Sequence, residues 1–276
     1  MRCIIIKDKR KDLINAKRIV IKIGTSILTH ETGNINLMRV ERLARVISDL
    51  LNMGKEIILV SSGAIGVGVG KLKLSEKPKT LGEKQAVAAV GQCELMHIYS
   101  KLFADYGHIV GQILLTRDVI EDQKMKNNVL NTFNNLIKRR IVPIVNENDS
   151  VSIEEIEIIS GRTFGDNDTL SAIVSRIVSA DLLVILSDVD GVYNLDPRKD
   201  KSAKLISTIN KITPQIERCG DGVGTERGTG GMEAKLAATK IAMSSGIKVV
   251  ICNGENPDII LDILHGKDKG TFFSEN

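Results

Sequence analysis

The sequence has few aromatic residues, with no tryptophan and 3% aromatic side chains in all. Proteins that bind single-stranded nucleic acid stack the bases on such side chains, so the composition argues against this class of protein. The net charge at pH 7 is +4, from 38 basic and 34 acidic residues, and the basic residues are spread along the chain. We therefore expect no nucleic-acid partner.

Long hydrophobic runs are also missing. No apolar stretch approaches the 18 residues of a membrane-spanning helix, and the run at residues 3–6 is too short for a signal peptide. The four cysteines show no C-x-x-C spacing, and the four histidines are scattered. These spacings argue against a metal cluster, a disulfide framework and a His-based triad. We expect a protein of the cytoplasm that contacts no membrane and holds no metal through its own side chains.

Helix-like and strand-like segments alternate along the chain. Apolar strands are predicted at residues 19–23 and 182–186, and amphipathic helices at 37–52 and 81–105. This alternation is typical of an α/β fold with a mostly parallel sheet covered by helices on both faces. The last strand is predicted at residues 247–252, followed by a short helix and a polar tail. Because there is no linker or internal repeat, we predict a single domain over residues 1–276.

Polar residues gather where the predicted strands end. The clusters lie at residues 22–26, 61–63, 146–149 and 187–188. In open α/β sheets, ligands bind beyond the carboxyl ends of the strands, so we expect these clusters to line a binding site. Two alternatives are open. The cluster 146–149 could be a turn built from Asn and Asp, and Lys22 could be a structural lysine whose stem lies along the strand.

Two helix starts carry a surplus of polar groups or glycines. Asp166, Asn167 and Asp168 precede apolar residues at helical spacing, and one of them would be enough to cap a helix. The surplus indicates a site, with capping alone as the alternative. The second helix start follows the glycine-rich segment 220–231. Helix N-termini of this kind can bind anions.

The glycines fit neither common nucleotide motif. Small residues at 61–70 follow a predicted strand and would let the backbone approach an anion or a packed ligand. However, the sequence contains neither the dinucleotide spacing G-x-G-x-x-G nor the P-loop G-x-x-x-x-G-K-[ST]. Any nucleotide site must therefore be built differently.

The charged residues suit phosphoryl transfer, which needs alignment and charge neutralisation more than covalent chemistry. Lys22 and Lys235 could flank a transferring phosphoryl group, and Asp168 could hold both ammonium groups in place. The acid and amide clusters could bind the ammonium group of an amino-acid substrate, because a carboxylate is its natural partner. The residues alone thus predict a kinase-like α/β site without a P-loop.

At residues 18–254 the sequence resembles the amino acid kinase family. The motifs that carry the resemblance are Lys-Ile-Gly-Thr-Ser at 22–26, Ser-Ser-Gly-Ala at 61–64, Asn-Glu-Asn-Asp at 146–149, Gly-Asp-Asn-Asp at 165–168, Ser-Asp at 187–188 and Gly-Thr-Gly-Gly-Met at 228–232. The two acid and amide motifs, in this order and spacing, are typical of the branch that acts on glutamate. The last motif is shared more widely within the family.

The resemblance implies a three-layer αβα sandwich and ATP-dependent phosphorylation of the γ-carboxylate of L-glutamate, the first step of proline biosynthesis. It implies that Lys22 and Lys235 stabilise charge and that Asp168 organises them. The residues expected to contact glutamate are Ser62, Asp149, Asn167 and Asp166. The residues expected to contact ATP are Lys22, Gly24, Ser187, Asp188, Thr229, Gly230, Gly231, Met232, Glu233, Ala234 and Lys235. Magnesium is expected on the nucleotide phosphates, with no protein ligand assigned.

The resemblance also implies feedback inhibition by proline and a homodimer or homotetramer. Many family members carry a C-terminal PUA domain, and we expect this chain to be a short form without it, with residues 1–17 as an N-terminal extension. The segment between Asp149 and Asp166 is a few residues longer than in compact members, so the inhibitor response could differ.

Two other functions stay open. One is a sister kinase that phosphorylates acetylglutamate, aspartate, UMP or isopentenyl phosphate. A phosphate acceptor would favour additional basic residues, whereas residues 146–149 are acidic and amide-rich. The other is a non-catalytic regulator that binds an amino acid on the same fold. Such a protein would not require Lys22, Asp168 and Lys235 together.

Overall fold

One sheet organises the chain in the computed structural model, which describes residues 10–116, 122–151, 167–219 and 231–275. Its strands are β1 (Arg18–Ile23), β2 (Glu56–Ser61), β3 (Ile109–Leu115), β4 (Ile141–Glu147), β5 (Leu182–Ser187), β6 (Thr208–Ile209), β7 (Lys248–Asn253) and β8 (Thr271–Phe273). They lie in the order β3-β4-β2-β1-β5-β7-β8-β6. Among the described strands only the β7–β8 pair is antiparallel, which confirms the prediction of a mostly parallel sheet.

Helices cover both faces of this sheet. After a 3-10 helix at Lys11–Asn15, the described helices are α1 (Thr25–Leu28), α2 (Leu37–Asn52), α3 (Ala64–Leu72), α4 (Leu81–Asp105), α5 (Gln123–Lys138), α6 (Asn167–Ile177), α7 (Pro214–Arg218), α8 (Met232–Met243) and α9 (Ile259–Leu264). One face packs against α2, α4 and α9, and the other against α5, α6 and α8. The predicted three-layer sandwich is therefore confirmed.

Side chains alternate between the two faces along each strand, as the two-residue period of a strand requires. On β1, Ile19, Ile21 and Ile23 lie in the core with α2 and α4, whereas Val20 lies in the core with α6 and α8. Lys22 has the same parity as Val20. The alternation along the strand alone therefore places the side chain of Lys22 on the face that packs against α6 and α8.

Side-chain caps fix several helix starts. The side chain of Asn36 accepts the backbone N–H of Arg39 at the start of α2. Thr80 and Glu83 form a reciprocal capping box at the start of α4. Such caps satisfy backbone donors that have no partner inside the helix. The predicted helices at 37–52 and 81–105 are confirmed with these bounds.

The glycines after β2 serve helix packing, a role that the sequence did not predict. Gly63 has a φ of 91° and precedes α3. Gly68 lies in α3 and Gly91 in α4, where the two helices touch. A Cβ atom on Gly68 would lie 2.1 Å from the carbonyl oxygen of Val87, and one on Gly91 would lie 1.8 Å from that of Ala64. Nothing in the local sequence pattern indicated that α4 packs against this segment.

The expected polar tail contains a buried strand. Thr271, Phe272 and Phe273 form β8, are at most 1% exposed, and pair with both β7 and β6. Three residues are too few to show a strand period. The charged run at 267–269, just before them, made the end of the sequence look like a polar tail despite Phe272 and Phe273. The prediction failed for these two reasons.

The residues before β1 are joined to this end of the sheet. Arg10 is buried, and its guanidinium group donates to the carbonyl oxygens of Lys269 at 2.9 Å and Gly270 at 3.1 Å. It also pairs with the carboxylate of Asp268 at 3.1 Å and lies 5.4 Å from the ring centroid of Phe272. The described part of the N-terminal segment is therefore packed on the domain.

Candidate functional site

The site lies where the chain changes direction across the sheet. β1 pairs with β2 on one side and with β5 on the other. The chain builds β2 to β4 on one side of β1 and later strands on the opposite side. A crevice forms at such a switch point, outside the carboxyl ends of the strands. Lys22, Ser61 and Ser187 stand at the ends of the three central strands.

A buried ion-pair cluster joins three elements beside this crevice. The ammonium group of Lys22 on β1 lies 2.5 Å from one carboxylate oxygen of Asp168 on α6. The ammonium group of Lys235 on α8 lies 3.2 Å from the other oxygen. The side chains are 6%, 0% and 8% exposed for Lys22, Asp168 and Lys235. This burial excludes the alternative of a structural Lys22 that extends along the strand into solvent.

The two lysines keep Asp168 ionised. Burial by itself would raise the pKa of Asp168, but the charges of Lys22 and Lys235, together with their hydrogen bonds, outweigh it and lower the pKa. Two ammonium groups against one carboxylate give these three side chains a net charge of +1. A buried positive charge at the carboxyl ends of parallel strands suits a phosphate group.

An amide network lies next to this cluster. The side-chain nitrogen of Asn167, at the start of α6, donates to the hydroxyl of Ser62 at 3.0 Å and to the side-chain oxygen of Asn146 at 2.9 Å. The side-chain nitrogen of Asn146 donates in turn to the side-chain oxygen of Gln92 at 2.9 Å. The amide nitrogen of Asn167 thus bonds to the strand ends, so capping alone does not explain this stretch.

Asp149 follows β4 in a turn, where the N–H of Val151 donates to the carbonyl oxygen of Asn148 at 3.1 Å. The turn interpretation is therefore correct only for the end of the cluster, because Asn146 and Glu147 belong to β4. Burial raises the pKa of Asp149 to about 6, because taking a carboxylate out of water disfavours its charged form. A perturbed carboxyl group of this kind is a candidate for a functional role.

The described residues predicted to contact ATP lie at the ends of β1 and β5 and at the starts of α1 and α8. Ser187 is buried at the end of β5, and its hydroxyl donates to the carboxylate of Asp188 at 3.1 Å. Gly24 precedes α1, and a Cβ atom there would lie 3.7 Å from the ammonium nitrogen of Lys22. The backbone near Lys22 is thus left open by the missing side chain.

The start of α8 supplies the remaining described members of the predicted ATP set. Gly231 precedes the helix in an extended conformation, and Met232 is buried. Glu233 is exposed and Ala234 is half-buried, and the two directly precede Lys235. Asp166, Thr229 and Gly230 lie outside the described residues.

Sequence reasoning missed the contribution of α4. Gln92 and Tyr99 stand seven residues apart, and so on one face of the helix. The hydroxyl of Tyr99 shares a hydrogen bond of 2.9 Å with that of Ser61, and burial raises the pKa of Tyr99. Asn146 was predicted only as part of a cluster. A glutamine on an otherwise small and apolar helix face was the available signal, but its partner lies 54 residues away.

Two absences hold for the described ranges. No group of three or more His, Cys, Asp or Glu side chains in them is placed to bind a metal ion. None of the described helices is long and apolar enough to cross a membrane.

A comparison with family models identifies the chain. Residues 17–253 match the model of the amino acid kinase family. The chain belongs to the amino acid kinase family. The predicted resemblance over residues 18–254 is thereby confirmed.

Named relatives within the family are similar over nearly their whole length. The chain is 61% identical to a glutamate 5-kinase of Clostridium perfringens over 264 residues, which cover 96% of this chain and 97% of that protein. It is 54% identical to a glutamate 5-kinase of Listeria innocua, with 96% and 95% covered. For a glutamate 5-kinase of Clostridium tetani the identity is 51%, with 97% and 98% covered.

Solved structures of the family share the fold at lower identity. A UMP kinase from Bacillus anthracis superposes with a TM-score of 0.63 at 18% identity, covering 95% of this chain and 97% of that one. An isopentenyl phosphate kinase superposes with a TM-score of 0.62 at 16% identity, with 93% and 100% covered. At such identities the likeness supports the fold alone.

Proposed function

We propose that this amino acid kinase transfers the γ-phosphoryl group of ATP to the γ-carboxylate of L-glutamate, the first step of proline biosynthesis. The product is γ-glutamyl phosphate. Three relatives named glutamate 5-kinase, 51–61% identical over almost the whole chain, support this substrate. The structural observation that carries the proposal is the buried cluster of Lys22, Asp168 and Lys235 beside the amide of Asn167.

The reaction requires charge stabilisation but no general base. A γ-carboxylate oxygen attacks the γ-phosphorus, and the bond from that phosphorus to the bridging oxygen breaks, so that its electron pair leaves with ADP. A glutamate side chain with a pKa of about 4.3 is already ionised at neutral pH. No proton has to be removed, which agrees with a site built from ammonium groups and amides.

The two lysines act on opposite sides of the transferred group. Lys22 stabilises charge on the side of the attacking oxygen, and Lys235 does so at the leaving oxygens. Asp168 holds both ammonium groups in place before the substrates bind. Such preorganised charges stabilise a transition state more than they stabilise the substrates, and removal of one typically lowers the rate by about 10²–10³-fold.

Glutamate is held by the polar groups at the ends of β2 and β4. The carboxylate of Asp149 pairs with the substrate ammonium group, since charge-assisted hydrogen bonds are the stronger ones. Ser62 and Asn167 supply neutral partners, and they already bond to each other at 3.0 Å. Asp166 completes the set as a prediction from the sequence.

ATP lies along the other half of the crevice. Gly24, Ser187, Asp188 and the start of α8 contact the nucleotide, with Thr229 and Gly230 as predicted members of the set. Magnesium, when bound, supplies further neutralisation of the phosphate charge. The nucleotide phosphates would supply most of its ligands, and no protein ligand is assigned.

Four further points belong to this proposal. The chain forms one amino acid kinase domain, with residues 1–17 as an extension. It acts in the cytoplasm, where ATP and glutamate are both at hand. It assembles as a homodimer or homotetramer, and proline inhibits it by feedback. The resemblance to the family supports all four.

Hydroxylamine trapping tests the proposed acceptor. Hydroxylamine converts an acyl phosphate into a hydroxamate, so the protein with Mg-ATP and glutamate should form γ-glutamyl hydroxamate. Aspartate, acetylglutamate, UMP and isopentenyl phosphate are offered in parallel, with ADP release as a common readout. Turnover of one of these without turnover of glutamate would assign the chain to a sister activity. Glutamate binding without any turnover would indicate a regulator.

A further inference from the structure

We propose that Gln92, on α4, is a positioning residue that sets the orientation of the substrate-binding amide of Asn167 through Asn146. The inference rests on the proposed function, because it assigns the task of this relay to binding of the glutamate ammonium group. Gln92 itself touches no reacting group. Its effect is transmitted by two hydrogen bonds between side-chain amides.

The relay of side-chain amides runs from Gln92 through Asn146 to Asn167. The side-chain oxygen of Gln92 accepts from the side-chain nitrogen of Asn146 at 2.9 Å. This bond turns the oxygen of Asn146 to the opposite side, where it accepts the backbone N–H of Glu147 at 2.9 Å and the side-chain nitrogen of Asn167 at 2.9 Å. A carboxamide has one acceptor oxygen and one donor nitrogen, so the acceptor at Gln92 and the backbone N–H of Glu147 together fix which end of the Asn146 amide faces Asn167.

The relay leaves one acceptor in the site. Because the nitrogen of Asn167 donates to Asn146 and Ser62, its side-chain oxygen points away from both. That oxygen is shielded from solvent and has no hydrogen-bond partner within the part of the chain that the structure describes. A buried carbonyl oxygen without a hydrogen-bond partner carries a free-energy cost, because it has lost its contacts with water. An N–H donor on the ligand would remove this cost, and the ammonium group of glutamate is such a donor.

The alternation of side chains along β4 explains why α4 contributes to the relay, although α4 and α6 lie on opposite faces of the sheet. Ile144 lies in the core with α4, and Asn146 has the same parity at the end of β4. Its side chain therefore lies on the α4 side, whereas Asn167 begins α6 on the other side. Asn146 bridges the two layers beyond the strand ends, and Gln92 is the residue of α4 that holds it.

Steady-state kinetics of Gln92→Met and Gln92→Glu test the assignment. Methionine has about the same size but no acceptor oxygen at this place, whereas glutamate keeps one. We expect Gln92→Met to raise the KM for glutamate about tenfold, as the loss of one oriented hydrogen bond implies, with the KM for ATP within twofold of wild type. Gln92→Glu should stay within about threefold of wild type for both substrates, because the acceptor that orients Asn146 is kept.

Two controls make the result decisive. Cys93→Ala changes the exposed neighbour of Gln92 on the same helix and should leave both KM values unchanged. If Gln92→Met does not fold, Gln92→Lys replaces it, since lysine offers only donors to Asn146 and should impair glutamate binding more than Gln92→Glu does.

The outcomes separate the inference from the proposed function. An unchanged KM for glutamate in Gln92→Met would overturn the positioning role, as would an equal rise for ATP or the same defect in Gln92→Glu. The KM values of these variants have a meaning only if the wild type phosphorylates glutamate. Failure of the wild type to form γ-glutamyl hydroxamate would instead overturn the function on which the relay depends.

Discussion

Asp168 holds a fully buried carboxylate between two lysines. Its carboxylate has 0% exposure and contacts two ammonium groups that are themselves buried. Removing one member of a buried ion-pair cluster leaves uncompensated charge and costs about 3–5 kcal/mol. For Asp168→Asn we therefore expect both a lower melting temperature and a loss of turnover of at least about 10²-fold. Calorimetry and the hydroxamate assay measure the two effects.

The double variant Asp168→Asn/Lys235→Met is the matched control. It removes one of the two uncompensated ammonium groups, so part of the lost stability should return while turnover stays low. If Asp168 acted only through the helix start, the second substitution would not restore stability. A single Asp168→Asn variant with wild-type stability would contradict the buried-charge account.

The pKa of Asp149 gives the site a pH dependence. Burial raises the pKa from 3.8 to about 6, so the folded protein binds a proton there more tightly than the unfolded chain does. Ionisation of Asp149 therefore lowers folding stability as the pH rises through the window from about 4 to about 6. Glutamate binding has the opposite dependence, because the ionised carboxylate is the form that pairs with an ammonium group.

We expect the KM for glutamate to rise about tenfold per pH unit below pH 6 as Asp149 becomes protonated. Above pH 6 it should be nearly constant, and the KM for ATP should follow a different profile. Steady-state kinetics from pH 5 to pH 8 measure this. In Asp149→Asn the KM for glutamate should be high and independent of pH over this range. If the KM for glutamate of that variant rose by the same factor below pH 6, a group other than Asp149 would be responsible for the pH dependence.

At the scale of the element, the contact between α3 and α4 supports the amide network. α4 carries Gln92 and Tyr99, and Gly91 lies beside them with no room for a Cβ atom, since Ala64 oxygen would be 1.8 Å away. We expect Gly91→Ala to separate the two helices. Overpacking of this kind costs about 1–3 kcal/mol or more. The melting temperature should fall, and the KM for glutamate should rise as α4 moves.

Gly82→Ala is the control on the same helix. Nothing lies within 4 Å of a Cβ atom at Gly82, and alanine favours a helix by about 0.8–1.0 kcal/mol over glycine. We expect Gly82→Ala to be neutral or stabilising, with unchanged kinetics. If the two variants behaved alike, the close contact at Gly91 would not be the cause.

The elements show which parts of the fold the sequence could predict. Helices such as α2 and strands such as β5 follow from apolar periodicity, because each buries a continuous face or a complete run. The three-residue strand β8 carries no period, so it was missed. The packing of Gly68 and Gly91 was not predicted, because only the tertiary contact reveals that each glycine meets the other's helix.

The site was partly predictable for the same reason. Lys22, Asp168 and Lys235 are charged residues at strand or helix ends, and such positions meet in a parallel sheet. The role of Gln92 was not predictable. It depends on which end of the Asn146 amide faces which neighbour, and that is fixed by contacts between residues 54 positions apart.

At the scale of the whole molecule, Arg10 joins the start of the chain to its end. It bonds to the carbonyl oxygens of Lys269 and Gly270 and to the carboxylate of Asp268. We expect Arg10→Ala to lower the free energy of unfolding by about 2–3 kcal/mol, because hydrogen bonds to charged groups contribute about 1.5–3 kcal/mol and several are lost. Both KM values should stay unchanged, since this cluster belongs to β8 rather than to the crevice.

Denaturant unfolding measures this effect. Arg45→Ala is the comparison, because Arg45 is 54% exposed and lies 3.9 Å from its nearest carboxylate, that of Asp258. Surface pairs of this type contribute at most about 1 kcal/mol. Equal losses of unfolding free energy in the two variants would contradict the view that Arg10 stabilises the domain through its contacts with residues 268–270.

The central claim is that the buried lysines and the amide network together phosphorylate the γ-carboxylate of glutamate. Its most direct test is to follow γ-glutamyl hydroxamate and ADP together in the wild type, Lys22→Met and Lys235→Met. We predict equal amounts of both products in the wild type and a loss of about 10²–10³-fold in each variant. ADP release without hydroxamate, or hydroxamate formation that survives both substitutions, would contradict the account.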